Sequence, residues 1–309
     1  MYDELAANRR RSVLLIVGFT VGVFAIGWAF STVVGGGPVG LVAALVFAGG
    51  SSALSYFKSD SIALAMSHAH PADPTTFARL HNVVEGLCIA GGLPKPRLFV
   101  IEDDAPNAFA TGRNPQHAAI AVTSGLLAKM NRIELEAVLA HELAHVKNND
   151  ILVSTVAVTM VGAVALLSDF GMRFLWWGGP RHRNDRDSSN NGGAQAIVAV
   201  FALALLALSP IVARLMQLAI SRRRESLADI TGVSMTRYPP GMISALEKLR
   251  DDTTVVHSAS KATAHLWIES PLSDSDAHHS PREGHSSKFN RLFLTHPPLE
   301  DRIAALREL

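Results

Sequence analysis

Residues 138–150, VLAHELAHVKNND, set His141 and His145 four positions apart with Glu142 beside the first. On a helix these two positions share one face, about one turn apart, so both imidazoles can reach a single zinc ion. Glu142 points along the adjacent edge, close enough to hold an attacking water without replacing it. A zinc ion with three protein ligands and one open position makes its water acidic, while a carboxylate takes the proton and passes it to a leaving amine. That is the chemistry of peptide hydrolysis, with Glu142 as catalytic base. Chance is the competing explanation, since only three positions of the pattern are fixed and the chain has 13 histidines. The helical context that the motif demands decides against chance.

Three protein ligands are required, and SRRRESLAD at 221–229 offers Glu225 with Asp229 one turn later. Glu225 can complete a two-His, one-Glu set, and Asp229 can orient a ligand imidazole from behind. Alone, such a carboxylate pair reads as a solvated helix face; its pairing with the histidine motif gives it weight. His257, His265, His278, His279 and His285 fall in a polar stretch and read as solvated, as do His68 and His70.

The elements that must position these residues follow from periodicity and punctuation. Asn131 is a candidate N-cap with Glu134 three residues later, a capping-box pattern that opens a helix through RIELEAVLAHELAHVKNN. Residues 73–91 carry apolar positions at three- and four-residue spacing between Asp-Pro and Gly-Gly, and predict another helix. The runs PRLFVIED, NAFATGR and HAAIAVTSGLL predict two or three strands, so a small sheet precedes the motif. Helical periodicity returns in RLMQLAISRRRESLADITGVSM and PPGMISALEKLRDD. Residues 251–287, rich in Ser, His and Asp, predict a long loop with a short ordered piece at HLWIESPL.

Composition adds a membrane. The 309 residues are 48% hydrophobic and only 18% charged, with mean hydropathy +0.22. Nothing from Ser12 to Phe57 is charged, and GGGP at 35–38 divides the run into candidate spans 12–33 and 38–57. A cleavable signal peptide is the competing reading, opposed by the length of the first run and the immediate second one. Residues 151–168 and 194–213 are further apolar stretches around a polar loop at 178–193. Four crossings would leave 58–150 and 214–309 on the side of the N-terminus, free to form one domain. Arg9–Arg11 and Arg222–Arg224 assign that side to the cytosol, although Arg173, Arg181, Arg183 and Arg186 would then be outside. Cys88 is the single cysteine, which excludes an intrachain disulfide, and a net charge of +1 leaves no footprint for nucleic acid.

Taken together, the paired N-terminal spans, NAFATGRNPQHAAIAVTSGLL at 107–127, HELAHVKNND at 141–150, SRRRESLAD at 221–229 and THPPLEDRIAAL at 295–306 resemble the HtpX-like membrane-bound zinc metalloproteases of bacteria, relatives of the CAAX-prenyl endoproteases. The resemblance covers nearly the whole chain. It implies one Zn2+ per chain held by His141, His145 and Glu225, with Glu142 as base. It also implies a multi-pass protein of the bacterial inner membrane that acts at the cytoplasmic face on misfolded or damaged membrane proteins, in quality control and the stress response. His296 and Arg302 map to the family's HP motif and are expected to contact substrate or transition state; for THPP, a helix cap is the plain alternative. NAFATG, headed by Asn107, suggests an exposed edge strand that aligns an extended substrate by backbone pairing.

The expectation is therefore a mainly α membrane protein of about four transmembrane helices plus an α+β, gluzincin-type catalytic domain with a small sheet. Its parts are an N-terminal hairpin (1–57), a first catalytic segment (58–150), a second hairpin (151–213) and a second catalytic segment (214–309). An intramembrane protease is opposed by the charged flanks NRIELE and KNND, because charges at the bilayer centre cost about 2.5–3.5 kcal/mol each on insertion scales. A metal-handling membrane protein is opposed by the lack of His or carboxylate at mid-depth of the apolar stretches. A catalytically inactive membrane scaffold is opposed by the intact Glu142.

Overall fold

The computed structural model describes residues 2–33, 37–156, 222–258, 263, 266–268 and 298–309. The expected spans at 151–168 and 194–213 fall wholly or mostly outside these residues, as do the loop at 178–193, most of the 251–287 stretch and His296.

The charge-free N-terminal run forms two long helices, α1 (Tyr2–Val33) and α2 (Gly37–Met66), packed side by side. Small and hydroxylic residues let them approach: Thr20 Oγ1 lies 2.7 Å from Ser52 Oγ, and a Cβ on Gly40 would fall 1.8 Å from Ser31 Oγ. Their outer faces leave Val21, Trp28, Val39, Val46 and Phe47 exposed, a surface that suits lipid better than water. Among the described residues, α2 is the one helix long and apolar enough to cross a membrane; α1 contains a shorter apolar stretch, Ile16–Ala25. The expected second span was 38–57, yet the helix continues to Met66, carrying Lys58 and Asp60 in its polar last turns.

A four-stranded mixed sheet follows, in the order β1-β2-β4-β3, from β1 (His70–Pro71), β2 (Arg97–Ile101), β3 (Ala108–Gly112) and β4 (Ala118–Thr123). β2 and β4 are parallel and β1 and β3 antiparallel to their neighbours. Strand alternation divides the side chains between two faces. Leu98, Val100, Ala108, Ala110, Ile120 and Val122 belong to the main core with α3 (Ala78–Gly91) and α5 (Arg132–Lys147). On the other face Ile101, Phe109, Ala119 and Ala121 pack on Ala63 and Leu64 at the end of α2, together with Trp267. The helix expected over 73–91 begins at Ala78, because Asp73 instead closes a turn by accepting from the Thr76 N–H at 2.9 Å.

A short helix α4 (Ser124–Lys129) leads into α5, whose capping box is present. The Asn131 side chain accepts from the Glu134 N–H at 3.0 Å, and the Glu134 carboxylate accepts from the Asn131 N–H at 2.9 Å. Glu134 also accepts from Lys248 and Ser244, which ties the start of α5 to α7 (Pro239–Asp251). Apart from its first turn α5 is buried on most sides, so its sequence shows little amphipathic stripe. It packs against α3, β3, α7 and α6 (Arg222–Thr236), and α8 (Leu299–Arg307) closes over α6 and α7.

Gly232 sets the distance between α5 and α6, since a Cβ there would lie 3.1 Å from the His141 backbone nitrogen and 3.2 Å from the Ala140 carbonyl carbon. Gly232→Val should force the helices apart and destabilise the protein by about 1–3 kcal/mol, the usual cost of overpacking. Thermal unfolding in detergent reads it as a lowered midpoint.

Candidate active site and metal centre

The capping box fixes where α5 begins, and helical spacing then carries His141 and His145 to one side of it. Their rings stand nearly perpendicular, with centroids 4.7 Å apart and Nε2 atoms 3.1 Å apart. Glu225, in the first turn of α6, brings Oε2 to 3.5 Å from His141 Nε2 and Oε1 to 3.6 Å from His145 Nε2. Zinc takes ligands at about 2.0–2.1 Å, and tetrahedral geometry then sets neighbouring ligand atoms about 3.3 Å apart. The three separations bracket that value, so the donor set fits a single ion of this kind. Glu142, next to His141 on the same helix, is 2% exposed.

The far nitrogens of both imidazoles meet carboxylates. His141 Nδ1 lies 2.8 Å from Asp229 Oδ1, one turn beyond Glu225 on α6. His145 Nδ1 lies 3.2 Å from Asp150 Oδ2. Such bonds hold the proton on Nδ1 and leave the Nε2 lone pair for a metal. The sequence reading did not pick out Asp150. It reaches His145 because Asn149 takes a left-handed conformation (φ 55°), which turns the chain so that the Asp150 N–H donates to the His145 carbonyl at 3.0 Å. The available signal was Asn-Asn-Asp directly after the motif helix, as Asn tolerates that conformation better than most residues.

Arg302, on α8, is buried. It donates to Asp229 through a two-pronged contact, Nε to Oδ2 at 2.9 Å and Nη2 to Oδ1 at 2.6 Å, and Nη2 lies 3.2 Å from His141 Nδ1. These contacts lie on the far side of His141, while Nη1 comes within 3.9 Å of Glu225 Oε2, so the guanidinium also faces a candidate ligand carboxylate. Asn107 is also buried: its Oδ1 accepts from the Ala108 N–H at 3.0 Å and its carbonyl from the Thr123 N–H at 3.0 Å. The strand it heads lies at the sheet edge, but all five of its residues are buried, where the sequence had suggested exposure. Part of the cover comes from Trp267 and Ile268, with the Phe109 and Trp267 rings meeting edge to face at 5.0 Å.

Burial and the Arg302 guanidinium both favour the neutral form of His141, but hydrogen bonds to Asp229 and Glu225 outweigh them and raise its pKa to about 9. For Asp229 burial pushes upward, and Arg302 and His141 more than reverse it, holding the carboxyl at about 2.

A metallopeptidase is the class of protein this donor set and its neighbouring carboxylate define. The family described as Peptidase family M48 matches residues 74–309. A "Protease HtpX homolog" of Caldanaerobacter subterraneus subsp. tengcongensis is 42% identical over 309 residues, covering 100% of this chain and 98% of that protein. A "Protease HtpX homolog" of Streptococcus pneumoniae is 40% identical over 311 residues, covering 100% of both. A crystal structure of S. mikatae Ste24p aligns with a TM-score of 0.49 at 19% identity, covering 99% of this chain and 67% of that one. The chain belongs to peptidase family M48. It is a membrane-associated metalloprotease whose substrates are proteins.

Two outcomes are expected. Asp150→Asn and Asp229→Asn should each weaken metal binding about 10–100-fold, measured by chelator competition, as for other carboxylates behind ligand imidazoles. A pKa raised from 6.5 to about 9 means that His141 contributes stability that is fully present below pH 6.5 and lost as pH rises through about 9. EDTA-treated protein should therefore melt at progressively lower temperature between these values. Metal-loaded protein, in which His141 as a ligand would be neutral, should not show that loss.

Proposed function

We propose that this protein is a zinc endopeptidase of the bacterial inner membrane that cleaves misfolded or damaged membrane proteins on the cytosolic side. The observation that carries the chemistry is the convergence of His141, His145 and Glu225 at near-tetrahedral spacing beside the buried Glu142. When bound, zinc supplies a Lewis acid that makes a water acidic and polarises the scissile carbonyl. The chain supplies the rest. Glu142 takes a proton from the attacking water as its oxygen bonds to the carbonyl carbon, and returns it to the amine nitrogen as the C–N bond breaks. Asp229 and Asp150 hold His141 and His145 in the ligating tautomer, and Arg302 fixes Asp229. His296 completes the substrate contacts carried over from the family's motif.

The membrane reading rests on α2, on the apolar outer faces of α1 and α2, and on the two apolar stretches of sequence at 151–168 and 194–213. Four spans put 58–150 and 214–309 on one side, and the packing of α6, α7 and α8 around α5 supports their forming one catalytic domain. The arginines flanking the first span and those at 222–224 favour the cytosol. β3 aligns the substrate, since backbone pairing binds an extended chain with little demand on its sequence.

The test is casein cleavage by detergent-purified protein with zinc content measured in parallel. Glu142→Gln should abolish cleavage and keep about one zinc per chain, the ligand set being intact; Glu225→Ala should lose the zinc. Zinc retained in the native chain without Glu142-dependent cleavage would instead favour a membrane scaffold or a metal-handling role.

A further inference from the structure

Pairing with β4 determines which backbone groups of β3 remain for a substrate. The Thr123 N–H donates to the Asn107 carbonyl, so 107 and 123 form a hydrogen-bonded pair, and the register makes 109/121 and 111/119 the next two. The N–H and C=O groups of Ala108, Ala110 and Gly112 must then point away from β4. Two of these three residues already have partners. At Ala108 the N–H donates to Asn107 Oδ1 (3.0 Å) and the carbonyl accepts from the Ile268 N–H (3.0 Å). At Gly112 the N–H donates to Thr155 Oγ1 (3.1 Å). Ala110 has no outward partner among the described residues. It is also where the strand retains some exposure, 6%, against 0% for Ala108, Phe109 and Thr111.

We propose that Asn107, Ile268 and Thr155 trim the substrate edge of β3 to a window of one residue, Ala110, and thereby fix the register in which a peptide is held. This rests on the reading that β3 aligns the substrate. Trp267, buried against Phe109 on the opposite face of the sheet, anchors Ile268 at its end of the window. Thr155 belongs to the helical residues 151–156 that follow the motif helix, so the other end is set from the segment beside Asp150. A one-residue window gives a peptide one pair of backbone hydrogen bonds. It asks for a short extended stretch, no long strand and no particular side chain at the paired position, which suits a protease of unfolded chains.

The experiment is amide hydrogen exchange at single-residue resolution on zinc-loaded Glu142→Gln protein in detergent, with and without a saturating casein peptide whose binding is followed by fluorescence anisotropy. Slowing of the Ala110 amide by about tenfold or more, with Ile268 and Gly112 unchanged, is the expected result. Faster exchange at Ile268 would mean that the peptide displaces it, and would overturn the window. Unchanged exchange at Ala110 with peptide bound would sink the edge-strand reading itself. A kinetic arm uses Thr155→Ala, which removes the hydroxyl that holds the Gly112 N–H together with the methyl beside it, and so lengthens the window. KM for a long casein peptide should fall about threefold with kcat unchanged, as for one added hydrogen bond, while KM for a short peptide stays the same. An equal loss of kcat/KM for both peptides would assign Thr155 a purely structural role and overturn its part in the window.

Discussion

The ion pair between Asp229 and Arg302, buried behind His141, is the constraint on which the rest of the site depends. Removing both charges from water costs several kcal/mol per ion, and only a complete hydrogen-bonded geometry offsets it. The two-pronged contact supplies that geometry, and it also ties three helices together. Asp229 comes from α6, Arg302 from α8 and His141 from α5, so the imidazole is held by a carboxylate that is itself held. Loss of Arg302 would leave Asp229 to be balanced by the His141 imidazole at 2.8 Å, and loss of Asp229 would leave Arg302 facing Glu225 at 3.9 Å.

Close packing makes the network possible. Gly232 lets α6 lie against the α5 backbone, and Ala140 and Ala144 keep the motif helix slim in the main core. Glu225 sits about two turns before Gly232 on α6, so the spacing of the helices also sets its distance from the two imidazoles. The capping box works at the other end: through Lys248 and Ser244, Glu134 joins the start of α5 to α7. The position of His141 and His145 is thus determined at the N-cap and at the Gly232 contact together.

The sheet lies between this assembly and the membrane-type helix. One face packs on α5, and the other rests on Ala63 and Leu64 in the last turns of α2, where Asp60 pairs with Arg97. The motif helix, the edge strand and the end of α2 are therefore consecutive layers of one packed unit. A span that ended where the charge-free run ends would have had no surface for Phe109, Ala119 and Ala121. The continuation to Met66, with Ala63 and Leu64 on its inner side, provides it.

Local relationships were legible in the sequence. Four-residue spacing of His141 and His145, the Asn131–Glu134 cap and alternation in the strands depend on neighbours within a turn or two and are present in the structure. The charge-free N-terminal run is helical, although its second helix continues past the expected 57 to Met66. What only the tertiary structure decided is how distant pieces meet. The Asp229–Arg302 fork joins residues 73 apart in sequence, the Thr155 contact with Gly112 joins residues 43 apart, and the Ile268 contact with Ala108 spans more than either. Nothing in the immediate surroundings of those residues marks them, since a Thr, an Ile or an Arg acquires such a contact only when packing brings a partner to it. Asp150 is intermediate: its neighbours are local, but its contact with His145 depends on one backbone turn at Asn149 that residue types alone permit and do not compel. The chemistry was written in spacing because one helix carries two of the three candidate ligands; the orientation of those ligands was not, because it depends on carboxylates and an arginine supplied across the fold.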